Sequence, residues 1–197
     1  MALRSPFKCV CGATATSLTP LCPSCNQVTE LPEDASAFDI LGVEENLVLD
    51  ADALRQNFYA LSKQTHPDRF TQADPRTALA AARWSTSLNR AYQTLKDPEK
   101  RALYLVERHG IPQSKQVPLE LAETYFDLQD ALAEGDGESR LAGFEKEVRE
   151  QLTELDLQWD SLCGNWKKDL EPIAKHLTLR RFLQSMLADI CRKRGAQ

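Results

Sequence analysis

The pentapeptide Thr65-His66-Pro67-Asp68-Arg69 constrains this chain more than any other stretch. A helical pattern runs into it from Asp52, and a second runs out of it from about Pro75. Neither can continue through it. Pro67 has no N–H and pushes His66 away from the right-handed helical region, while Asp68 favours turns through side-chain-to-backbone bonds. Ahead of the loop Leu54, Phe58 and Leu61 lie at i, i+4 and i+7. Behind it Leu79, Ala82, Leu88, Ala91, Tyr92 and Leu95 fall at helical spacing. Each set forms one apolar helix face. The expected unit is an antiparallel helical hairpin that presents an imidazole, a rigid ring and a carboxylate at its tip.

The flanks supply starts and stops. Gly42 and Asn46 mark a turn, and Asp50 is placed to cap the helix that follows. Asp74-Pro75 is a start signal with proline in the first turn. Pro98 ends that helix at Leu95 to Asp97. A short helix is expected from Arg101 to His109, stopped by Gly110. Trp84 is expected to pack. Val28 to Ser36 is polar, contains Pro32 and lacks periodicity, so it reads as a linker.

Beyond Ile111-Pro112 three more amphipathic helices are expected. The first, Leu119 to Ala133, carries Leu121, Tyr125, Leu128 and Leu132 on one stripe with Phe126 beside it, and Gly135-Asp136-Gly137 breaks it. The second, Ser139 to about Leu162, carries Phe144, Val148, Leu152, Leu155 and Trp159. The third runs from near Lys168 or Pro172 to about Arg194 with Ile173, Leu177, Phe182, Leu183, Met186 and Ile190. Short connections between three such helices give an antiparallel bundle. Cys163 and Cys191 lie on them and read as small packing residues.

Four of the six cysteines fall at Cys9, Cys11, Cys22 and Cys25. Two close pairs across a short loop place four thiolates around one tetrahedral ion, which suits structural zinc. A segment this poor in large apolar residues has no core of its own, so metal binding would supply most of its folding energy. Phe7, Leu18 and Leu21 are available to cover the site. Cys9 and Cys11 enclose one residue where the usual knuckle has two, so the first turn must bend differently. Four thiolates leave no open position for a catalytic water.

A net charge of −5 and a pI of about 5.3 argue against a general binder of nucleic acid or anionic membranes. No apolar run approaches the length of a membrane span. Residues Met1 to Lys8 lack a secretory apolar core, which makes a reducing cytoplasm the expected location, with the mitochondrial matrix as the alternative for a processed form. No phosphate loop, catalytic triad spacing or carboxylate-and-histidine metal site appears, and an enzyme is not expected.

From about Ala37 to Gly110 the sequence resembles the J-domain family. Phe38-Asp39-Ile40-Leu41-Gly42 looks like its first short helix, Leu54-Arg55-Gln56-Asn57-Phe58-Tyr59-Ala60-Leu61 like its second, and His66-Pro67-Asp68-Arg69 like its signature loop. Asn89 to Arg101 is similar to the end of its third helix and the turn after it. The resemblance implies that the loop stimulates ATP hydrolysis by a DnaK-type chaperone, with His66, Pro67, Asp68, Arg69, Arg55 and Lys63 as the chaperone-binding residues. Tyr59, Ala60 and Gln64 stand where basic residues are common in that family, so the cationic face is thinner here.

The order of J-like part and three-helix bundle, with His109-Gly110-Ile111 at the junction, resembles the HscB-type co-chaperones of iron–sulfur cluster assembly. Some members of that family carry an N-terminal four-cysteine module. The resemblance implies an all-α fold: a four-cysteine zinc module over residues 1–30, a J-domain over 31–112 and a three-helix bundle over 113–197. It implies delivery of an IscU-type scaffold to a DnaK/HscA-type chaperone. It places scaffold contacts at Ala122, Glu123, Phe126, Asp127, Asp130, Glu134 and Phe182. Two rival readings remain: an iron-binding redox protein with a J-like docking domain, and a general J-protein for unfolded clients.

Overall fold

A computed structural model describes residues 7–15, 18–112, 117–134 and 138–195. The chain forms two compact units, Met1–Arg101 and Ala102–Gln197. Among the described residues it is helical apart from a small β hairpin at the start, in which β1 (Phe7–Lys8) pairs antiparallel with β2 (Thr14–Ala15), and an isolated antiparallel bridge between Leu21 and Val28.

In the first unit each helix begins and ends where local chemistry dictates. The helix α1 (Ala37–Leu41) opens on a capping box: the Asp39 amide donates to the Ser36 hydroxyl, and the Ser36 amide donates back to the Asp39 carboxylate. Gly42 closes it in the left-handed region at φ 64°. The helix α2 (Ala51–Thr65) starts at Asp50, whose carboxylate accepts from the amides of Asp52 and Ala53. The helix α3 (Pro75–Leu95) starts at Asp74, which accepts from the amides of Arg76 and Thr77 and from the Thr77 hydroxyl. These bonds to the ionised form, that of Thr77 first, hold the Asp74 carboxyl below its usual range.

The hairpin expected from the periodicity is present: α2 packs on α3, and the rings of Phe58 and Tyr92 stack with centroids 4.2 Å apart. The buried stripe of α3 is Ala81, Trp84, Leu88, Ala91 and Leu95. Leu79 and Ala82, expected on that stripe, are exposed. The reason is angular. Leu79 lies two residues before Ala81, and two residues turn a helix by roughly 200°, so only one of them can face the core. Phe38, Leu41, Leu47 and Leu54 complete that core. The buried Arg101 guanidinium donates at 2.8 Å to the carbonyl of Leu47, in the loop before α2, and at 2.6 Å to that of Leu95, which the end of α3 leaves open.

The helix α4 (Pro98–Arg108) begins three residues earlier than Arg101, where the periodicity put it. Asp97 accepts from the amides of Glu99 and Lys100, so Asp97-Pro98 starts this helix as well as stopping the one before.

The second unit holds α5 (Leu119–Glu134), α6 (Glu138–Asn165) and α7 (Glu171–Gly195). Its core is Leu121, Leu128, Ala131, Leu141, Val148, Leu183, Met186 and Ile190. Ion pairs give the helix directions. Arg180 pairs with Asp156 and Arg194 with Glu145, so α7 runs against α6. Tyr125 meets Phe182, and the Gln129 amide donates to Asp189, so α5 runs with α7. The bundle is therefore up-down-up, the expected architecture. The predicted Gly135-Asp136-Gly137 break lies outside the described residues. No helix among the described residues is long and apolar enough to cross a membrane.

Candidate functional site

The loop between α2 and α3 is built from its own residues. His66 takes an extended conformation (φ −59°, ψ 129°), as a residue before proline must. Residues Pro67–Phe70 then form one 3₁₀ turn. The Asp68 amide lies 3.3 Å from His66 Nδ1, and the Asp68 carboxylate 3.5 Å from the same nitrogen. One nitrogen cannot accept from the amide and donate to the carboxylate at once. In the neutral ring the amide bond holds and Nε2 carries the proton. The side chains of His66 and Asp68 are 60% and 86% exposed, so both are presented to solvent. The Pro67 ring lies outside the described residues.

Arg69 turns away from the tip. Its guanidinium donates to the carbonyl of Lys63 at 3.0 Å and reaches that of Gln64 at 3.5 Å. A cation on the last turn of α2 satisfies orphan carbonyls and complements the helix dipole. Arg69 thus fixes the angle at which the loop leaves the helix, a role that sequence reasoning missed because it depends on which way the 3₁₀ turn folds back.

On the exposed side of α2, Arg55, Tyr59 and Lys63 follow at i, i+4 and i+8. Arg55 pairs with Asp52 one turn earlier at 2.7 Å. Tyr59 is exposed between the two cations.

On α5 the structure separates two adjacent aromatics. Tyr125 packs against the bundle core, with its ring 5.2 Å from that of Phe182. Phe126 is 66% exposed. Glu123, Asp127 and Asp130 are exposed on the same helix, and Ala122 is half-buried. Phe182 is half-buried and joins this face through Tyr125. The side chain of Glu134 lies outside the described residues. The arrangement offers an aromatic anchor among carboxylates.

The four N-terminal thiols converge. All four sulfurs lie within 4.8 Å of one another, with Cys9 and Cys25 at 3.6 Å and Cys11 and Cys22 at 3.8 Å. A tetrahedral ion with metal–sulfur bonds of about 2.3 Å requires sulfur–sulfur edges of about 3.8 Å, so the donor set fits a metal ion. The one-residue spacing of the first pair is solved by a tight turn. Gly12 takes φ 88° and donates to the Cys9 carbonyl, while the Cys9 amide donates to the Ala13 carbonyl. In the second turn Asn26 takes φ 58°, a conformation asparagine tolerates. Leu18 is buried and Leu21 is half-buried; the Phe7 side chain lies outside the described residues. Backbone amides of Cys25 and Ser24 lower the Cys22 thiol to about 6. The Gln27 amide pulls Cys25 the same way, but burial and the neighbouring thiols push it up to about 12. Thiols this close cannot all ionise unless a cation offsets their charge, so ligation and deprotonation go together.

The chain has known relatives. The DnaJ domain family matches residues 36–104. A co-chaperone HscB homologue of Vibrio vulnificus (strain YJ016) is 33% identical over 156 residues, 70% of this chain and 90% of the relative. One of Paraburkholderia phytofirmans is 43% identical over 76 residues, 39% of this chain and 43% of the relative. The crystal structure of human co-chaperone HscB superposes with a TM-score of 0.75 at 22% identity, covering 98% of this chain and all 100% of that one, a likeness of fold. The chaperone HscB from Vibrio cholerae superposes with a TM-score of 0.60 at 28% identity, covering 82% and 99%.

Proposed function

Because the chain belongs to the HscB co-chaperone family, we propose that it carries an IscU-type iron–sulfur scaffold to a DnaK/HscA-type chaperone and triggers that chaperone's ATPase, aiding cluster transfer to iron–sulfur proteins. The observation that carries this reading is the exposed His66–Asp68 pair at the tip of a braced hairpin. The phosphoryl chemistry belongs to the partner. This chain contributes positioned polar groups: an imidazole, a carboxylate and the cations of Arg55 and Lys63, with Arg69 holding the loop. Charges on such a rim chiefly speed encounter with an acidic surface. The second contact is the face of Phe126, Glu123, Asp127 and Asp130, with Ala122 and Phe182 at its edges; Glu134, the last residue of the same helix, is assigned to it as well. We assign residues 1–30 to a metal module, 31–112 to the J-domain and 113–197 to the scaffold-binding bundle, in a cytoplasmic protein.

The ion is one structural zinc held by Cys9, Cys11, Cys22 and Cys25. When bound it supplies folding order to a segment without a core. Metal analysis of the purified chain should find a colourless zinc protein.

Single-turnover ATP hydrolysis by the chaperone, with and without this chain and with the scaffold added, tests the whole reading. Stimulation that rises further with scaffold is expected. No stimulation by a folded chain refutes it.

A further inference from the structure

Neither chaperone stimulation nor scaffold binding uses the four cysteines, yet their surroundings tie them to the J-domain. The second knuckle sits on a short two-stranded ladder. The Asn26 amide donates to the Cys22 carbonyl at 2.8 Å, and the Cys22 amide to the Gln27 carbonyl at 2.9 Å. Leu21 bridges Val28, and the Thr29 amide donates to the Pro20 carbonyl at 2.9 Å. Thr29 is the last rung, its hydroxyl donating to the Thr19 carbonyl. Its own carbonyl accepts from the indole Nε1 of Trp84 at 2.8 Å. Thr29 is 2% exposed and Trp84 0%, so this bond is made away from water. The next residue, Glu30, pairs with Arg76 at 2.5 Å. The Arg76 guanidinium, helped by Arg83, holds the Glu30 carboxyl below its usual range. Arg76, Arg83 and Trp84 all lie on α3, the helix that leaves the His-Pro-Asp loop.

We propose that Trp84 is a positioning residue of the metal site, so that metal ligation at Cys22 and Cys25 and the order of α3 are coupled. The inference rests on the cysteines holding a metal ion and on neither partner contact. The ladder is too short to persist unaided, and ligation at its knuckle keeps it paired. While it is paired, the Thr29 carbonyl and the Trp84 N–H satisfy each other. When it frays, both buried groups must find water, and the covered side of Trp84 opens. The path is one continuous set of bonded groups from Cys22 to α3. Coupling of this kind is reciprocal: whatever factor the metal gives to α3, an intact Trp84 gives to metal affinity.

The test uses the full chain and zinc alone. Competition against a chromophoric chelator should show Trp84→Phe binding zinc roughly threefold to tenfold more weakly, the value of one buried hydrogen bond. Trp159→Phe, in the other unit, should leave the affinity unchanged. Amide exchange across residues 81–88 of the unaltered chain should quicken when zinc is stripped and recover when it is restored. In the double variant Trp159→Phe/Trp166→Phe, Trp84 is the only tryptophan left, and its emission should shift to the red on stripping. Unchanged zinc affinity in a less stable Trp84→Phe would mean a purely structural tryptophan and overturn the proposal. So would zinc release that leaves exchange in α3 and Trp84 emission untouched. A chain that takes up no zinc overturns the site and the coupling together. The exchange arm needs no substitution and decides the matter should Trp84→Phe fail to fold.

Discussion

Replacing Phe126 by alanine should weaken scaffold binding about thirtyfold while costing the bundle less than the loss of a core side chain. An aromatic side chain carries about 200 Å². Phe126 is 66% exposed, which leaves roughly 130 Å² for a partner to cover, worth about 3 kcal/mol at ~25 cal/mol/Å². Alanine keeps some of that contact, so about 2 kcal/mol is lost, or roughly thirtyfold in Kd. The buried third of the ring, roughly 70 Å², is worth about 1.7 kcal/mol; alanine keeps part of it, so about 1 kcal/mol of stability is lost, a fall in Tm of roughly 4–8 °C. Leu128, fully buried two residues on, supplies the opposite case. Leu128→Ala should cost about 2–5 kcal/mol of stability and leave the affinity of the folded fraction close to normal. Adding Asp130→Ala to Phe126→Ala should slow association and flatten its salt dependence, as loss of a rim charge does. Calorimetric titration with an IscU-type scaffold beside thermal melts of the same variants reads all of this. If Phe126→Ala binds normally, or Leu128→Ala weakens binding as much as Phe126→Ala, the face has been assigned to the wrong side of α5.

His66→Gln should abolish stimulation of the chaperone ATPase and change stability by no more than about 0.5 kcal/mol, since the ring is exposed; full stimulation by the folded variant rules the loop out. Arg69→Ala should lower stimulation partially and cost about 1 kcal/mol through lost contacts to the α2 carbonyls, read by single-turnover hydrolysis and melts. Cys22→Ser with Cys25→Ser should release about one zinc per chain, because two thiolates do not hold a tetrahedral site. Zinc affinity should rise with pH, since ligation needs thiolates and protons compete for them. At neutral pH zinc uptake should release protons, chiefly from thiols such as Cys25, whose own ionisation lies near 12, rather than from Cys22 near 6; uptake without acidification of a weakly buffered solution contradicts the tetrathiolate assignment.

Much of the site is legible in sequence because its chemistry is local. Asp50 and Asp74 cap the residues two and three positions ahead of them, and Pro67 fixes the conformation of His66 beside it. Interactions of that range depend on spacing alone. The four cysteines belong to the same class, since two pairs on one short loop have few ways to avoid one another. Asp97-Pro98 shows the limit of such reading: a proline that ends one helix also opens the next, and the carboxylate before it is the signal for the second role.

By itself, then, the sequence determined which stretches are helical, where α2 and α3 start, and that an imidazole and a carboxylate stand together in a turn. Tertiary structure decided which side of each helix faces inward. Tyr125 and Phe126 are neighbours separated by roughly 100° around α5; the stripe of Leu121, Leu128 and Leu132 favours Tyr125, but spacing alone does not say whether Phe126 beside it is covered. Packing against Phe182 took Tyr125 and left Phe126 to solvent. The same holds across greater separation. Nothing near Thr29 or Trp84 in sequence marks them as partners, and they bond across 55 residues only because α3 turns its Trp84 side toward the cysteine ladder. Local patterns encode an element's faces, while the choice among those faces is made by the apolar area and the buried polar groups that other elements bring to meet them.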